Sequence, residues 1–328
     1  MNNRRKLVIA LGAGALAAPF GLFAQQQKIY RIGILQSGVR EDNDKSSGLP
    51  FISGLAELGY VEGRNLIIDT RYAEGKLERL RALAGEIVSA KPDLIFAPAA
   101  PATAAVKALT TTIPIVFCFV NEPVALGFAQ SLAHPGGNLT GMSNFSVEIT
   151  GKRIELLKEL TPKLTRLCAW YNSDAMNDAV ELRAVESAAA HFGMQFLAIR
   201  ARNPAEFDEA AAATRKWGAD AIHINSNPVA YTNRKQIISL VSELKKPAVY
   251  FITTFVEDGG LIAYAVNQPD LARRIAVYAD KIMRGAKPGD LPIEQPTRIE
   301  LSINMKTAKA LGIKVPNTIL VRADKVIE

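Results

Sequence analysis

The chain has 328 residues, of which 48% are hydrophobic and 22% charged. That is enough for two domains with sizeable cores, and far from a disordered composition. Net charge is +7, but with Arg4, Arg5 and Lys6 set aside 36 basic residues face 32 acidic ones. They are interspersed as on a solvated surface, which argues against the basic face or arm of a nucleic-acid binder.

The first six residues are short and basic, residues 7–24 are uncharged and rich in Ala and Gly, and Gln25-Gln26-Gln27 is polar. This is the layout of an export signal, with a cleavage site expected after Ala24. Arg4-Arg5 followed by Leu7 and Val8 suits a twin-arginine signal, and the general secretory route fits equally. No cysteine follows for lipid attachment, and no Lys/Arg cluster stops transfer. The mature chain is therefore expected in the periplasm.

Beyond it, strand and helix patterns alternate. Arg31-Ile32-Gly33-Ile34-Leu35 reads as a strand, and Phe51, Ile52, Leu55 and Leu58 have helical spacing closed by Gly59. Leu66-Ile67-Ile68-Asp69-Thr70 is the second strand, and a helical stripe runs from Leu77 to Val88. Asp93-Leu94-Ile95-Phe96-Ala97 and Ile113-Pro114-Ile115-Val116-Phe117 are further strands. After residue 145 the order returns: strands at Arg166, Asp220 and Lys246 echo those at Arg31, Asp93 and Ile113, with offsets of about 130 residues. The expected fold is α/β, with two similar lobes, each a parallel sheet flanked by helices. Cys118 and Cys168 lie inside apolar runs and read as buried thiols; a disulfide would have to join the two lobes.

Open α/β sheets bind ligands beyond the carboxyl ends of their strands. That rule selects Gln36 and Ser37, the run from Pro98 through Ala99, Ala100, Pro101 and Ala102 to Thr103, then Phe119, Asn121 and Glu122. In the second lobe it selects Tyr171, Asn172, Asn225, Ser226 and Thr253, with Ser173, Asn227 and Thr254 beside them. The set is mostly small, polar and uncharged, with aromatic members, and suits an organic solute. The Ala99 to Thr103 run would let a carboxylate approach a helix N-terminus. Glu122 has two readings: partner for a ligand ammonium, or cap of a helix starting at Pro123. His134, His191 and His223 have no metal-ligand spacing, and no nucleophile elbow or phosphate loop is present. No catalytic residue, metal or cofactor is expected.

Several phrases together resemble one family, the ABC-transporter substrate-binding proteins of tryptophan/tyrosine type. They include Gly54-Leu55-Ala56-Glu57-Leu58-Gly59-Tyr60-Val61-Glu62-Gly63-Arg64-Asn65, Ile113-Pro114-Ile115-Val116-Phe117 with Glu122-Pro123-Val124, and Leu132-Ala133-His134-Pro135-Gly136-Gly137-Asn138-Leu139-Thr140-Gly141. Further on come Gly259-Gly260-Leu261, Gly285-Ala286-Lys287-Pro288-Gly289-Asp290-Leu291-Pro292 and Asn304-Met305-Lys306-Thr307-Ala308. The resemblance spans essentially the whole mature chain. Where that family commonly has Asp before Pro-Val, this chain has Glu122.

The resemblance implies a type I periplasmic-binding-protein fold with three crossovers between lobes. Its function would be to close on a small organic solute, such as an amino acid or related carboxylate, for an ABC importer. Partners would be the solute and the importer's membrane permease subunits, without nucleic acid, and the mature protein would be monomeric. The expected division is a signal at 1–24, lobe 1 at 28–143 plus 258–295, and lobe 2 at 144–257 plus 296–328. A sensor module feeding a membrane signalling protein would have the same core; an exported enzyme would need a catalytic set.

Overall fold

The computed structural model describes residues 28–40, 48–144, 147–175 and 178–328. The expected export signal lies outside them.

Five strands form the first sheet: β1 (Tyr30–Gln36), β2 (Leu66–Tyr72), β3 (Leu94–Phe96), β4 (Ile115–Val120) and β5 (Leu139–Ser143). Their order is β2-β1-β3-β4-β5 and every pairing is parallel. The second sheet holds β6 (Arg166–Tyr171), β7 (Gln195–Arg200), β8 (Ala221–Ile224), β9 (Ala248–Tyr250), β10 (Ile262–Val266), β11 (Ile299–Asn304) and β12 (Lys325–Ile327). Read from β7, its order is β7-β6-β8-β9-β10, repeating the first sheet, and β11 and β12 extend it. The β10–β11 pairing is antiparallel, a departure from an all-parallel sheet.

In chain order the helices are α1 (Gly48–Glu57), α2 (Leu80–Ser89), α3 (Ala100–Lys107), α4 (Thr150–Leu160), α5 (Asp178–His191), α6 (Pro204–Trp217) and α7 (Pro228–Thr232). They continue with α8 (Arg234–Leu244), α9 (Thr253–Glu257), α10 (Gln268–Met283), α11 (Met305–Ala310) and α12 (Asn317–Arg322). Asparagines start four of them: Asn203, Asn227, Asn267 and Asn304 each accept the N–H three residues on, satisfying a donor the helix cannot.

The near-continuous apolar strands are buried on both faces, as parallel sheets are when helices cover them. The period of two shows in β1. Ile32 and Ile34 pack with Phe51, Leu55 and Ile275 on one face. Leu35 packs with Leu80, Ala84 and Ile87 on the other. In the second sheet Leu167 and Ala169 face α4 and α5, while Cys168 and Trp170 face the side of α6 and α8. Both cysteines are free thiols in separate sheets, and burial pushes Cys168 up to about 12. Among the described residues, no helix is long and apolar enough to cross a membrane.

The chain passes between the sheets three times. It leaves the first after β5, returns after β10, and leaves again after a bridge from Glu294 to Met142 on β5. The expected boundary at residue 258 is therefore corrected. Ile262–Val266 pairs with β9 and β11 in the second sheet, and the chain joins the first lobe only at α10, which packs on α1 and β4. An apolar strand next to a glycine pair carries no local mark of the sheet it will join.

Candidate functional site

The carboxyl ends of both sheets open onto one cleft of about 920 Å³, part of it open to solvent. From the first lobe come Gln36 at the end of β1 with Ser37, Gly38 and Val39 after it, Pro98 and Ala99 after β3 with Ala100 and Pro101 at the start of α3, Phe119 and Asn121 at the end of β4, and Asn144 after β5. The second lobe contributes Ala175 after β6, Ser226, Asn227, Pro228 and Tyr231 after β8, and Phe251 after β9, while Gln268 opens α10 where the chain re-enters the first lobe. No charged side chain lines it among the described residues.

Local backbone geometry aims the first-lobe residues. Ala99 has φ 67° and ψ 150°, a region that glycine alone occupies freely, and Phe119 has φ 58°. Ala99 is held there by its N–H to Cys118 O bond of 2.8 Å. Ala99 precedes α3 and provides no side-chain cap. The N–H groups of Ala100 and Ala102 then lack intrahelical partners at a helix start, where an anion or carbonyl oxygen is favoured. A register shift between β4 and β5 bends the chain near Phe119, and Gly141 permits it: a Cβ there would lie 2.0 Å from the Phe117 carbonyl oxygen.

Seven of the thirteen candidate residues line the cleft: Gln36, Ser37, Ala99, Ala100, Phe119, Asn121 and Ser226. Six do not. Thr103 is wholly buried, its hydroxyl donating to Ala97 O at 2.8 Å and Ala99 O at 3.0 Å, so it braces the turn. Tyr171 is still paired with Arg200 inside the sheet, and the cleft contact falls to Ala175. Asn172 turns its side chain onto the Asp174 N–H. Asn225 is spent on His223 and on the Asp178 carbonyl. Thr253 meets Ser302 at 3.3 Å. Glu122 is exposed, with φ 49°, and the turns after it begin with the Leu126 N–H bonding its carbonyl. It is absent from the described lining of the cleft, and turns rather than a helix follow it, which corrects the helix-cap reading.

Behind the second-lobe lining lies a buried polar group. Arg153 of α4 donates to Glu181 of α5 at 3.0 Å and to Tyr264 O at 2.9 Å. Glu181 also accepts the Ser226 N–H at 2.9 Å. Asp178 accepts from the Asn172 N–H and from Asn227 Nδ2. Burial, then the charge of Glu181, holds Asp178 well above the usual carboxylate range. Burial, helped by Arg153, pushes His223 down to about 3, so it is neutral. This group anchors Ser226 and Asn227 and stays outside the cleft.

Two sheets of repeated order, three crossings and a cleft at their carboxyl edges are the architecture of the type I periplasmic-binding proteins. Residues 39–327 match the family described as ABC transporter substrate binding protein, and the chain belongs to that family. A tyrosine-binding protein of Clostridioides difficile is 27% identical over 289 residues, 88% of this chain and 82% of the relative. An ABC domain in complex with L-Trp from Streptococcus pneumonia is 26% identical with a TM-score of 0.85, over 92% of this chain and 100% of that one. The ligand-free, open structure of a substrate-binding protein with adhesive properties from Clostridium difficile is 26% identical with a TM-score of 0.66, over 91% of this chain and 99% of that one.

Proposed function

We propose that this chain is the extracytoplasmic solute-binding component of an ABC importer and works by closure of two lobes rather than by chemistry. The observation that carries this is the cleft, to which both carboxyl edges contribute and which is lined by amides, small residues and three aromatic rings. Closing the lobes on a solute would bury it from both sides, and permease subunits could then distinguish occupied from empty protein by shape. The superpositions support this. At equal identity the chain as a whole superposes better on the L-Trp complex than on the open relative, with TM-scores of 0.85 and 0.66. By sheet membership, the described residues of 28–144 and 268–295 form lobe 1, and those of 147–267 and 296–328 form lobe 2.

The relatives' ligands and the α3 N-terminus favour an aromatic amino acid or related carboxylate, seated with its acid on the N–H groups of Ala100 and Ala102. Phe119, Tyr231 and Phe251 would pack on its apolar part. The test is mass spectrometry of solute released by unfolding natively purified protein. A stoichiometric small molecule is expected, and consistently empty protein that takes up no solute would sink the reading. Export is checked by fractionation, where the mature chain should be periplasmic. Arg4-Arg5→Lys-Lys should retain it in the cytosol on the twin-arginine route and leave export intact on the general route.

A further inference from the structure

Leu77 belongs to the first lobe by chain position, yet it packs against two cores. One is the first-lobe core around Ala73, Leu80 and Ala84. The other is the second-lobe core that includes Val229 and Ala230. Two residues before Leu77, Gly75 meets Thr232, the last residue of α7. A Cβ at Gly75 would lie 3.3 Å from Thr232 Cγ2 and 3.7 Å from its Cβ, and one at Gly38 would lie 3.5 Å from its Oγ1. The segments after β2 and β1 that carry these glycines are stitched together. The Glu74 N–H donates to Gly38 O and the Gly75 N–H to Ser37 O, both at 2.9 Å. Gly75 has φ 76°, in the left-handed region that glycine enters freely, so bare backbone is brought up to the threonine.

This contact joins the lobes directly. Thr232 is absent from the described lining of the cleft, whereas its neighbour Tyr231 is part of it. One short helix therefore presents one residue to the cleft and the next to the opposite lobe. The topology also gives the contact leverage. β2 is one edge of the first sheet, and β5, from which the chain crosses, is the other. Rotation about the crossings moves atoms in proportion to their distance from the axis, so the β2 edge travels furthest when the lobes part. The apolar packing of Leu77 on the second lobe and the close contacts of Thr232 are then lost altogether. Their free energy belongs to the closed arrangement alone, which is what shifts a two-state balance.

Accepting the solute-binding reading of the cleft, we infer that Leu77, Thr232, Gly38 and Gly75 form a lobe-to-lobe latch that raises the closed fraction of the empty protein. Solute completes a closure that the chain itself favours, and the apparent affinity for any solute rises with the closed fraction. These are positioning residues: they hold α7, and with it Tyr231, against the first lobe.

A cross-link tests the latch. The Gly75 and Thr232 Cβ positions, 3.7 Å apart, suit a disulfide, whose Cβ atoms lie about 3.5–4.5 Å apart. Gly75→Cys combined with Thr232→Cys is stripped of solute, checked as empty by native mass spectrometry, and equilibrated in a glutathione redox buffer. The yield then reports the equilibrium nearness of the two sulfurs, not a rare collision. Most molecules should carry the intramolecular bond, with the buried Cys118 and Cys168 still reduced. A bond that forms only in natively loaded protein overturns the inference and leaves the solute-binding reading standing. No bond in either preparation overturns it as well. Thr232→Tyr gives an independent answer, also where the double variant does not fold. A ring has no room against Gly38 and Gly75, so small-angle scattering of this variant without solute should give a larger radius than the empty parent. Leu77→Ala should shift the radius in the same direction by less. Folded variants with the parent's radius or a smaller one overturn the inference.

Discussion

Ala99 shows what a single residue contributes to this cleft. Its backbone occupies a region that costs a side chain of order 1–3 kcal/mol, and the conformation lets the chain turn from β3 into α3 while leaving first-turn N–H groups uncapped. Ala99→Gly should remove that strain, offset in part by about 0.5–1 kcal/mol of extra chain entropy in the unfolded state. The expected net gain is about 1 kcal/mol, measured by denaturant unfolding of empty protein. A loss of similar size would mean the methyl group packs better than its backbone is strained.

At the scale of elements, α4, α5 and β10 are tied by a buried charge pair. Arg153 and Glu181 have side chains 2% and 1% exposed. Removing one member leaves the other charged and buried, so Glu181→Ala should cost about 3–5 kcal/mol in unfolding free energy. It should also weaken solute binding, since Ser226 loses the acceptor that holds its N–H. A cost below about 1 kcal/mol would place the pair among weak surface-like bridges. Asp178, one turn earlier, behaves oppositely to a paired acid. Its folded pKa lies above the ordinary 3.8 because of burial. Between that value and the raised one, folded protein keeps a proton that the unfolded chain has released. The folded state binds more protons there, so stability is full below the window and falls as pH rises through it. Asp178→Asn removes this titration, and its stability relative to the parent should rise with pH over that window. A pH-independent difference would show that Asp178 is ionised in the folded chain.

The molecule as a whole is two lobes joined by three crossings, and under the proposed function ligand energy would be expressed as closure. A solute that binds only folded protein stabilises it by about 2.7 kcal/mol at 100 times its dissociation constant. The melting temperature should rise accordingly, and small-angle scattering should report a smaller radius with solute than without. A true solute that raises the melting temperature and leaves the radius unchanged would indicate a rigid cleft.

Much of this was legible in the sequence because local rules decide it. Strands β1, β3, β4, β6, β8 and β9 appear as apolar runs of the right length, and their order of return already implied two lobes. The rule that ligands bind beyond strand carboxyl ends found Gln36, Ser37, Ala99, Ala100, Phe119, Asn121 and Ser226 in the lining. It missed Asn144 and Gln268 because they follow β5 and β10. The first of these carries Thr140, Gly141 and Ser143, and the second sits beside a glycine pair, so neither stood out as a strand. Tyr231 was out of reach because it projects from a helix, not from a strand end. Glu122, Asn172 and Asn225 were nominated by type and proximity. In the fold, Glu122 points from an exposed turn with a positive φ, and Asn172 and Asn225 are bonded to neighbours beside the cleft. Periodicity and turn chemistry act over a few residues, so the chain alone settles which segments are strands and helices. Which side chains meet across the cleft depends on packing between segments more than a hundred residues apart, and only the folded lobes decide it.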